Sequence, residues 1–366
     1  MENWNIADIF DKVQGEMKNL EPVNVMVVGK TGVGKSTLIN NVFREPLAKV
    51  GQGKPVTKHF KKITKEGIPV NIYDTKGLEL NSSVQKEIKQ EITNLMLKER
   101  RVDVCWYCVS NSQSRLEEVE VELIEMFAEW EIPVIIVITM AYMKEQAEEF
   151  RRLIDSKNLE CRNTIKVLAE DYGDESEGKK FKSFGLDGLV QLTAEAIPEE
   201  FRKAFVAAEK IIIDLKIKEA RKVVYAFCSG SGVIGASPIP FSDAPLLVAD
   251  QIAMIAKITS VFGLSLDKAL LTTIVSSSAG VSGATIAGKT LVTNMLKMIP
   301  GAGTVVGGAI SAGVAASLTF SLGMAYIKVC EFIWKEEAKG NNVEDDQIIE
   351  KMKETFNKEI KFMSNK

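Results

Sequence analysis

Residues 23–43 read VNVMVVGKTGVGKSTLINNVF. An apolar run leads into a loop built on glycine, and Leu38, Ile39, Val42 and Phe43 follow at helical spacing. A strand that passes through a tight loop into a helix commits the chain to an α/β layout, because the helix must cover the sheet that the strand joins. Within this stretch Gly29, Gly34, Lys35 and Ser36 fit G-x-x-x-x-G-K-[ST], with Lys30, Thr31, Gly32 and Val33 between them and Thr37 after. Each residue type has a physical reason. Glycines let the backbone curl until its N–H groups converge on a phosphate. The helix starting near Lys35 adds the positive end of its dipole. Lys35 can reach the β- and γ-phosphates of a nucleotide, and the Ser36 hydroxyl can ligate Mg²⁺.

Downstream, VNIYDTKGLEL reads as a second apolar strand ending in Asp74-Thr75-Lys76-Gly77. An aspartate at a strand tip beside the loop supplies the carboxylate that a Mg²⁺-bound water needs, and Gly77 offers a backbone N–H to a γ-phosphate. Between the two lies VGQGKPVTKHF, a polar segment in which Thr57 is a candidate second Mg²⁺ ligand. The run VDVCWYCVS reads as a buried strand. Its cysteines, Cys105 and Cys108, are three apart and so point to opposite faces, which makes them core thiols rather than a metal pair.

Together GKTGVGKS, PVTKH and DTKG resemble the translation-factor-related GTPases of the Era-like branch, over roughly residues 22–197. The resemblance implies a doubly wound P-loop G domain that binds GTP/GDP and Mg²⁺ and carries switches sensitive to the γ-phosphate. It implies that Ser36, Thr57 and Asp74 hold the metal and that Lys35, Thr57 and Gly77 serve the reaction. The nucleotide would lie on Gly29 to Thr37, with Thr139, Met140 and Ala169 at the base.

The chain departs from the family pattern at the base. The family's [NT]-K-x-D box follows the strand PVIIVIT, where this chain has Thr139-Met140-Ala141-Tyr142. Thr139 fits. Met140 replaces the lysine that packs on the base, and Tyr142 replaces the aspartate that accepts two hydrogen bonds from guanine. Losing such contacts removes several kcal/mol of discrimination. Met140 and Tyr142 offer stacking instead. After the next strand, TIKVLAEDY, Ala169 stands where a backbone group meets the base, and Asp171 is a candidate for the missing carboxylate. Leu78 follows Gly77 where some GTPases hold a water-positioning glutamine, so slow intrinsic hydrolysis is expected. His59, the single histidine, lies two residues beyond Thr57 and is a candidate for helping that step.

The second half has a different composition. Residues 199–222 read as a long charged amphipathic helix connecting the domains. Stretches 223–242, 269–288 and 298–327 are almost free of charge and rich in Gly, Ala, Ser and Val. Between them, SDAPLLVADQIAMIAKI and SLDKALL read as helix starts with Ser242 and Ser265 as N-caps. Gly303 and Gly307 lie four apart, a spacing that permits close helix packing in a soluble bundle or a membrane. This half resembles the uncharacterised helical domain that follows G domains in bacterial proteins. A layout of G domain and helices is also similar, by architecture alone, to interferon-inducible and dynamin-like GTPases. The expected parts are an N-terminal amphipathic helix (1–21), the G domain (22–198), a helical domain (199–340) and a C-terminal helix (341–366).

Net charge is −3, so no global basic field recruits nucleic acid and no DNA partner is expected. Five scattered cysteines point to a reducing, cytoplasmic compartment, with the inner face of a membrane as the place for any peripheral contact. The last helix, with Ile348, Ile349, Met352, Phe356 and Ile360 on one stripe, either docks on the body or pairs with a second copy in a homo-oligomer. Three functions follow: a GTP-driven switch acting through the helical half, an Era-like factor on ribosomes or RNA, and a nucleotide-binding scaffold with negligible hydrolysis. The long neutral runs disfavour the second, which calls for a basic RNA-binding domain.

Overall fold

The computed structural model describes residues 20–43, 47–50, 52–55, 60–75, 87, 90–94, 102–173, 180–229, 244–264 and 312–364. Two compact units divide at Ile212/Ile213.

The first unit is an α/β fold around a sheet of seven strands. In chain order these are β1 (Val23–Val28), β2 (Gln52–Pro55), β3 (Phe60–Lys65), β4 (Ile68–Thr75), β5 (Val104–Ser110), β6 (Val134–Thr139) and β7 (Asn163–Lys166). The sheet order is β2-β3-β4-β1-β5-β6-β7. Strands β4, β1, β5, β6 and β7 run parallel, and β2 and β3 add antiparallel at one edge. β1, β5 and β6 are buried along their whole length, as expected of strands covered on both faces. Among the described residues five helices of eight residues or more accompany them: α1 (Lys35–Val42), α3 (Glu118–Glu129), α4 (Lys144–Asp155), α5 (Leu186–Ala196) and α6 (Glu199–Ala208), with a single turn, α2 (Leu47–Val50), after α1. The segment around Gln52 to Pro55, expected to be a polar connection, pairs with β3 as an edge strand. An edge tolerates Pro55 because one side of the strand needs no partner.

Alternation along β5 sorts its residues. Cys105, Tyr107 and Val109 join the apolar cluster that includes Leu123 and Phe127 of α3 and Phe150 of α4. Trp106 points the other way, stacks on Phe43 at 5.9 Å and donates its indole N–H to Thr193 Oγ1 at 3.0 Å. The two thiols of CWYC are buried, and burial pushes Cys105 well above its ordinary range and Cys108 to about 12. They are core groups.

The expected single helix over 199–222 is broken. α6 ends at Ala208, and Glu209 turns extended and bridges to Phe43. Lys210 N–H donates to Val42 O at 2.9 Å, and its ammonium to Asn40 O at 2.9 Å. The Glu209 carboxylate accepts from the N–H groups of Ile211 and Ile212. α6 packs on β1 and β4, and its Phe205 meets Phe43 edge-on at 6.3 Å. The first unit therefore runs past the expected boundary at 198, because Phe201 and Phe205 complete the cover of the sheet.

The second unit contains α7 (Ile213–Cys228), α8 (Ala244–Phe262), α9 (Ala312–Ala338) and α10 (Asp345–Ser364). Val224, Ile255, Leu322, Tyr326, Met352 and Phe356 share one core. α9 meets α7 at Gly323, where an added Cβ would lie 2.6 Å from the Val224 side chain. The final helix docks within this unit: Ile348, Met352, Phe356 and Ile360 are buried, while Ile349 packs at the margin. Thus 341–364 is part of the helical body. Ala316–Ala338 is long and apolar enough to cross a membrane, with mean hydropathy 1.3, but 61% of its most apolar window is buried. The expected N-terminal helix (up to Asn19), the caps Ser242 and Ser265, the start SLDKALL and the Gly303/Gly307 pair lie outside the described residues.

Phe43 joins α1, β5 and α6 with no exposed surface. Phe43→Ala is expected to cost about 3 kcal/mol through lost burial and the cavity left behind. A urea titration followed by circular dichroism checks this, and an unchanged midpoint would count against the stack as a main support.

Candidate nucleotide site

The loop between β1 and α1 is held in place from several directions. Gly29 has φ 152°, and a Cβ there would sit 2.3 Å from Cys108 O, so the loop can leave β1 only as glycine. Gly34, with φ 90°, caps the start of α1. Lys35 is buried and folds back across the loop, donating to Gly29 O at 2.7 Å and Lys30 O at 2.9 Å. Lys30 turns away from the loop centre and pairs with Glu117 at 2.7 Å. The Thr139 hydroxyl lies 2.5 Å from Val33 O and 3.0 Å from Val109 O, tying the end of β6 to the phosphate loop.

Asp74, near the end of β4, carries a charge that acts on Lys35. Burial pulls the Lys35 ammonium below its ordinary range, with the Asp74 charge opposing that shift. Burial pushes the Asp74 carboxyl up, with Lys35 and Lys61 opposing. Asp74 Oδ1 is buried and has no hydrogen-bond partner. Desolvated, partly unpaired charges are costly unless a ligand completes them. A hard cation with oxygen ligands answers the demand at Asp74, and a triphosphate answers it at Lys35. Ser36, exposed at the start of α1, has a hydroxyl that could serve as a second oxygen. The residues present therefore fit Mg²⁺. Thr57, His59, Gly77 and Leu78 lie outside the described residues.

Beside the loop opens a cavity of about 520 Å³. Gly34, Thr37 and Leu38 line its phosphate end, Ser110 to Ser112 line it from the end of β5, and Thr139, Met140, Tyr142 and Gln146 from beyond β6. Val167 to Glu170, with Tyr172, complete it. The expected base contacts Thr139, Met140 and Ala169 thus meet in one cavity with Gly34 and Thr37 of the loop. Met140 adopts φ 52° and stays exposed. Tyr142 stacks on Tyr172 with ring centres 4.6 Å apart and has Phe181 at 5.8 Å, so its ring forms a wall with Tyr172.

Asp171 does not take the role considered for it. Its carboxylate accepts from Lys182 Nζ and from the Ser183 N–H, both at 2.9 Å, and these bonds hold it below the ordinary carboxylate range. It is absent from the lining, whereas Glu170 is present. Sequence reasoning also passed over Asn111, a buried lining residue whose Oδ1 has no partner. The available signal was position: ligand sites in open α/β sheets gather at the carboxyl ends of strands, and Asn111 follows β5 directly.

Residues 24–140 match the family described as 50S ribosome-binding GTPase. Residues 202–357 match a domain of unknown function, DUF697. The chain therefore carries a P-loop GTPase G domain followed by that domain. Among curated relatives, tRNA modification GTPase MnmE of Clostridioides difficile is 25% identical over 223 residues, covering 58% of this chain and 46% of the relative. GTPase Era of Geobacter metallireducens is 26% identical over 178 residues, covering 48% and 55%. This chain thus spans about half the length of each. Among solved structures, a probable GTP-binding protein engB shows 19% identity and a TM-score of 0.32 over 48% of this chain and 98% of that one. A variant of Aquifex aeolicus Era bound to GDP.AlF4- shows 19% identity and a TM-score of 0.34 over 60% and 70%.

The contact between Gly29 and Cys108 O gives a sharp expectation. Gly29→Ala forces a backbone displacement and should lower nucleotide affinity by at least roughly tenfold, since aligned loop amides carry the phosphate contacts. Filter binding with labelled nucleotide measures this, and wild-type affinity in the variant would show that the loop geometry is not required.

Proposed function

We propose that this chain binds GTP with Mg²⁺ at the phosphate loop, hydrolyses it slowly to GDP and phosphate, and uses the change to control its helical half. The observation that carries the reading is buried Lys35 folded across the phosphate loop, with the buried Asp74 Oδ1 unpartnered, beside a cavity of nucleotide size. Lys35 would bind the β- and γ-phosphates. Ser36 and Asp74 would hold Mg²⁺, joined by Thr57 from the first switch, and the ion would neutralise charge on the phosphates. Gly77 would meet the γ-phosphate through its N–H. Leu78 cannot orient an attacking water, which supports a slow intrinsic rate. The output through the helical half follows the order–disorder logic of nucleotide switches: loss of the γ-phosphate releases Thr57 and Gly77. A cytoplasmic location with peripheral membrane contact is part of the proposal, and the apolar stretch Ala316–Ala338 is its support.

Calorimetry with GTP and ATP is the central experiment. GTP is expected to bind at least about tenfold more tightly, and equal affinities would refute guanine selectivity. Lys35→Ala should weaken GTP binding by roughly 30-fold or more, because it removes charge-assisted bonds to phosphate. It should also abolish phosphate release. Sedimentation with liposomes in GTP and GDP tests the membrane output, and identical pelleting in both states removes it.

Asp74 also predicts a pH effect. Mg²⁺ needs the ionised carboxylate, and burial raises its pKa. Protons therefore begin to compete at higher pH than for a free aspartate. Mg²⁺-dependent nucleotide affinity should fall as pH is lowered, and Asp74→Asn should lose most of that dependence. A flat profile in the wild type would argue against Asp74 as a ligand.

A further inference from the structure

We infer that Glu170 is the carboxylate that reads the guanine edge, in place of the aspartate that the box after β6 lacks. The inference rests on the GTP-binding reading above and names the specificity residue of that site.

The demand comes from chemistry. Guanine presents two adjacent donors, N1–H and the 2-amino group, and two carboxylate oxygens accept both at once. At Tyr142 the chain has no such acceptor pair, and that ring is already stacked on Tyr172. Among the described residues that line the cavity, Glu170 is the sole carboxylate. It is exposed to solvent, whereas its neighbour Asp171 is consumed by Lys182 and Ser183.

Glu170 also sits on a fixed segment. Leu168 and Phe184 exchange two backbone hydrogen bonds at 3.0 Å, and Tyr172 and Phe181 exchange two at 2.9 and 2.8 Å. Asp171 adds its bonds to Lys182 and Ser183 between them. Ala169 and Glu170 are therefore pinned from both sides, while β7 and the Ala141 N–H bond to Val167 O (3.2 Å) tie the segment to the end of β6. The backbone that carries Glu170 is thus ordered before the ligand arrives, which lowers the cost of placing its carboxylate against a base.

The test exploits a change of donor pattern. Xanthine keeps N1–H but carries an oxygen where guanine carries the 2-amino group. A glutamine at 170 keeps one acceptor and gains a donor, so it matches xanthine and opposes guanine. Calorimetry of Glu170→Gln should show GTP affinity reduced by about tenfold or more and XTP affinity raised by a similar factor. Tripolyphosphate affinity should stay at the wild-type value, which reports an intact phosphate loop and fold. Glu170→Ala should lose GTP affinity without gaining XTP.

If Glu170→Gln keeps the wild-type ratio of GTP to XTP while Lys35→Ala abolishes binding, Glu170 is not the reader and the GTP site stands. If tripolyphosphate affinity falls along with GTP affinity and XTP gains nothing, position 170 acts on the loop rather than on the base, and the inference is overturned. If the wild type binds no GTP, the site reading falls and this inference with it.

Discussion

The first unit depends on the close passage of the phosphate loop over β5. Gly29 lies against Cys108 O with no room for a side chain, and β1 beneath it is buried throughout. That contact sets where α1 begins. It also sets where Lys35 comes to lie, folded onto Gly29 O and Lys30 O and facing the charge of Asp74. Two opposite charges held in a desolvated setting are weak as a stabilising pair. In the proposed function they are the groups that would meet a polyanion and a cation. Thr139, bonded to Val33 O, brings the base end of the cavity into register with this loop.

Much of this was readable in the sequence. The strand–loop–helix at 23–43 appears as β1, the loop and α1, and the strand tip at Asp74 lies in the electrostatic reach of Lys35. These are local signals, carried by hydrophobic period and by glycines with no tolerance for a Cβ. The base end was half-readable. Thr139 and Ala169 line the cavity, but the choice between Glu170 and Asp171 turns on a long-range ladder, 168–172 against 181–184, that periodicity does not encode.

The helical half was readable as helices and less so as boundaries. Residues 199–222 carry an uninterrupted amphipathic pattern, yet the chain breaks at Glu209 because extended pairing with Phe43 competes with helix propensity there and wins. The last stripe, Ile348 to Ile360, was legible as an apolar face, and its docking partner α9 became visible only in three dimensions. In α9, Gly323 lets the helix pack closely against Val224 of α7, one place where a small residue serves the helical body.

The break at Glu209 has one mechanical consequence. α1 starts in the phosphate loop, spans eight residues, or about 12 Å, and finishes at Val42, whose carbonyl holds the Lys210 N–H. Asn40 holds the Lys210 ammonium from the same helix. The stretch from which the chain departs the sheet domain is thus moored to the far end of the rod whose near end carries Lys35 and Ser36. A tilt of that rod must drag Glu209 and Lys210 along or rupture both tethers. A short, stiff strut with few soft joints separates the phosphate-loop end from the exit of the polypeptide.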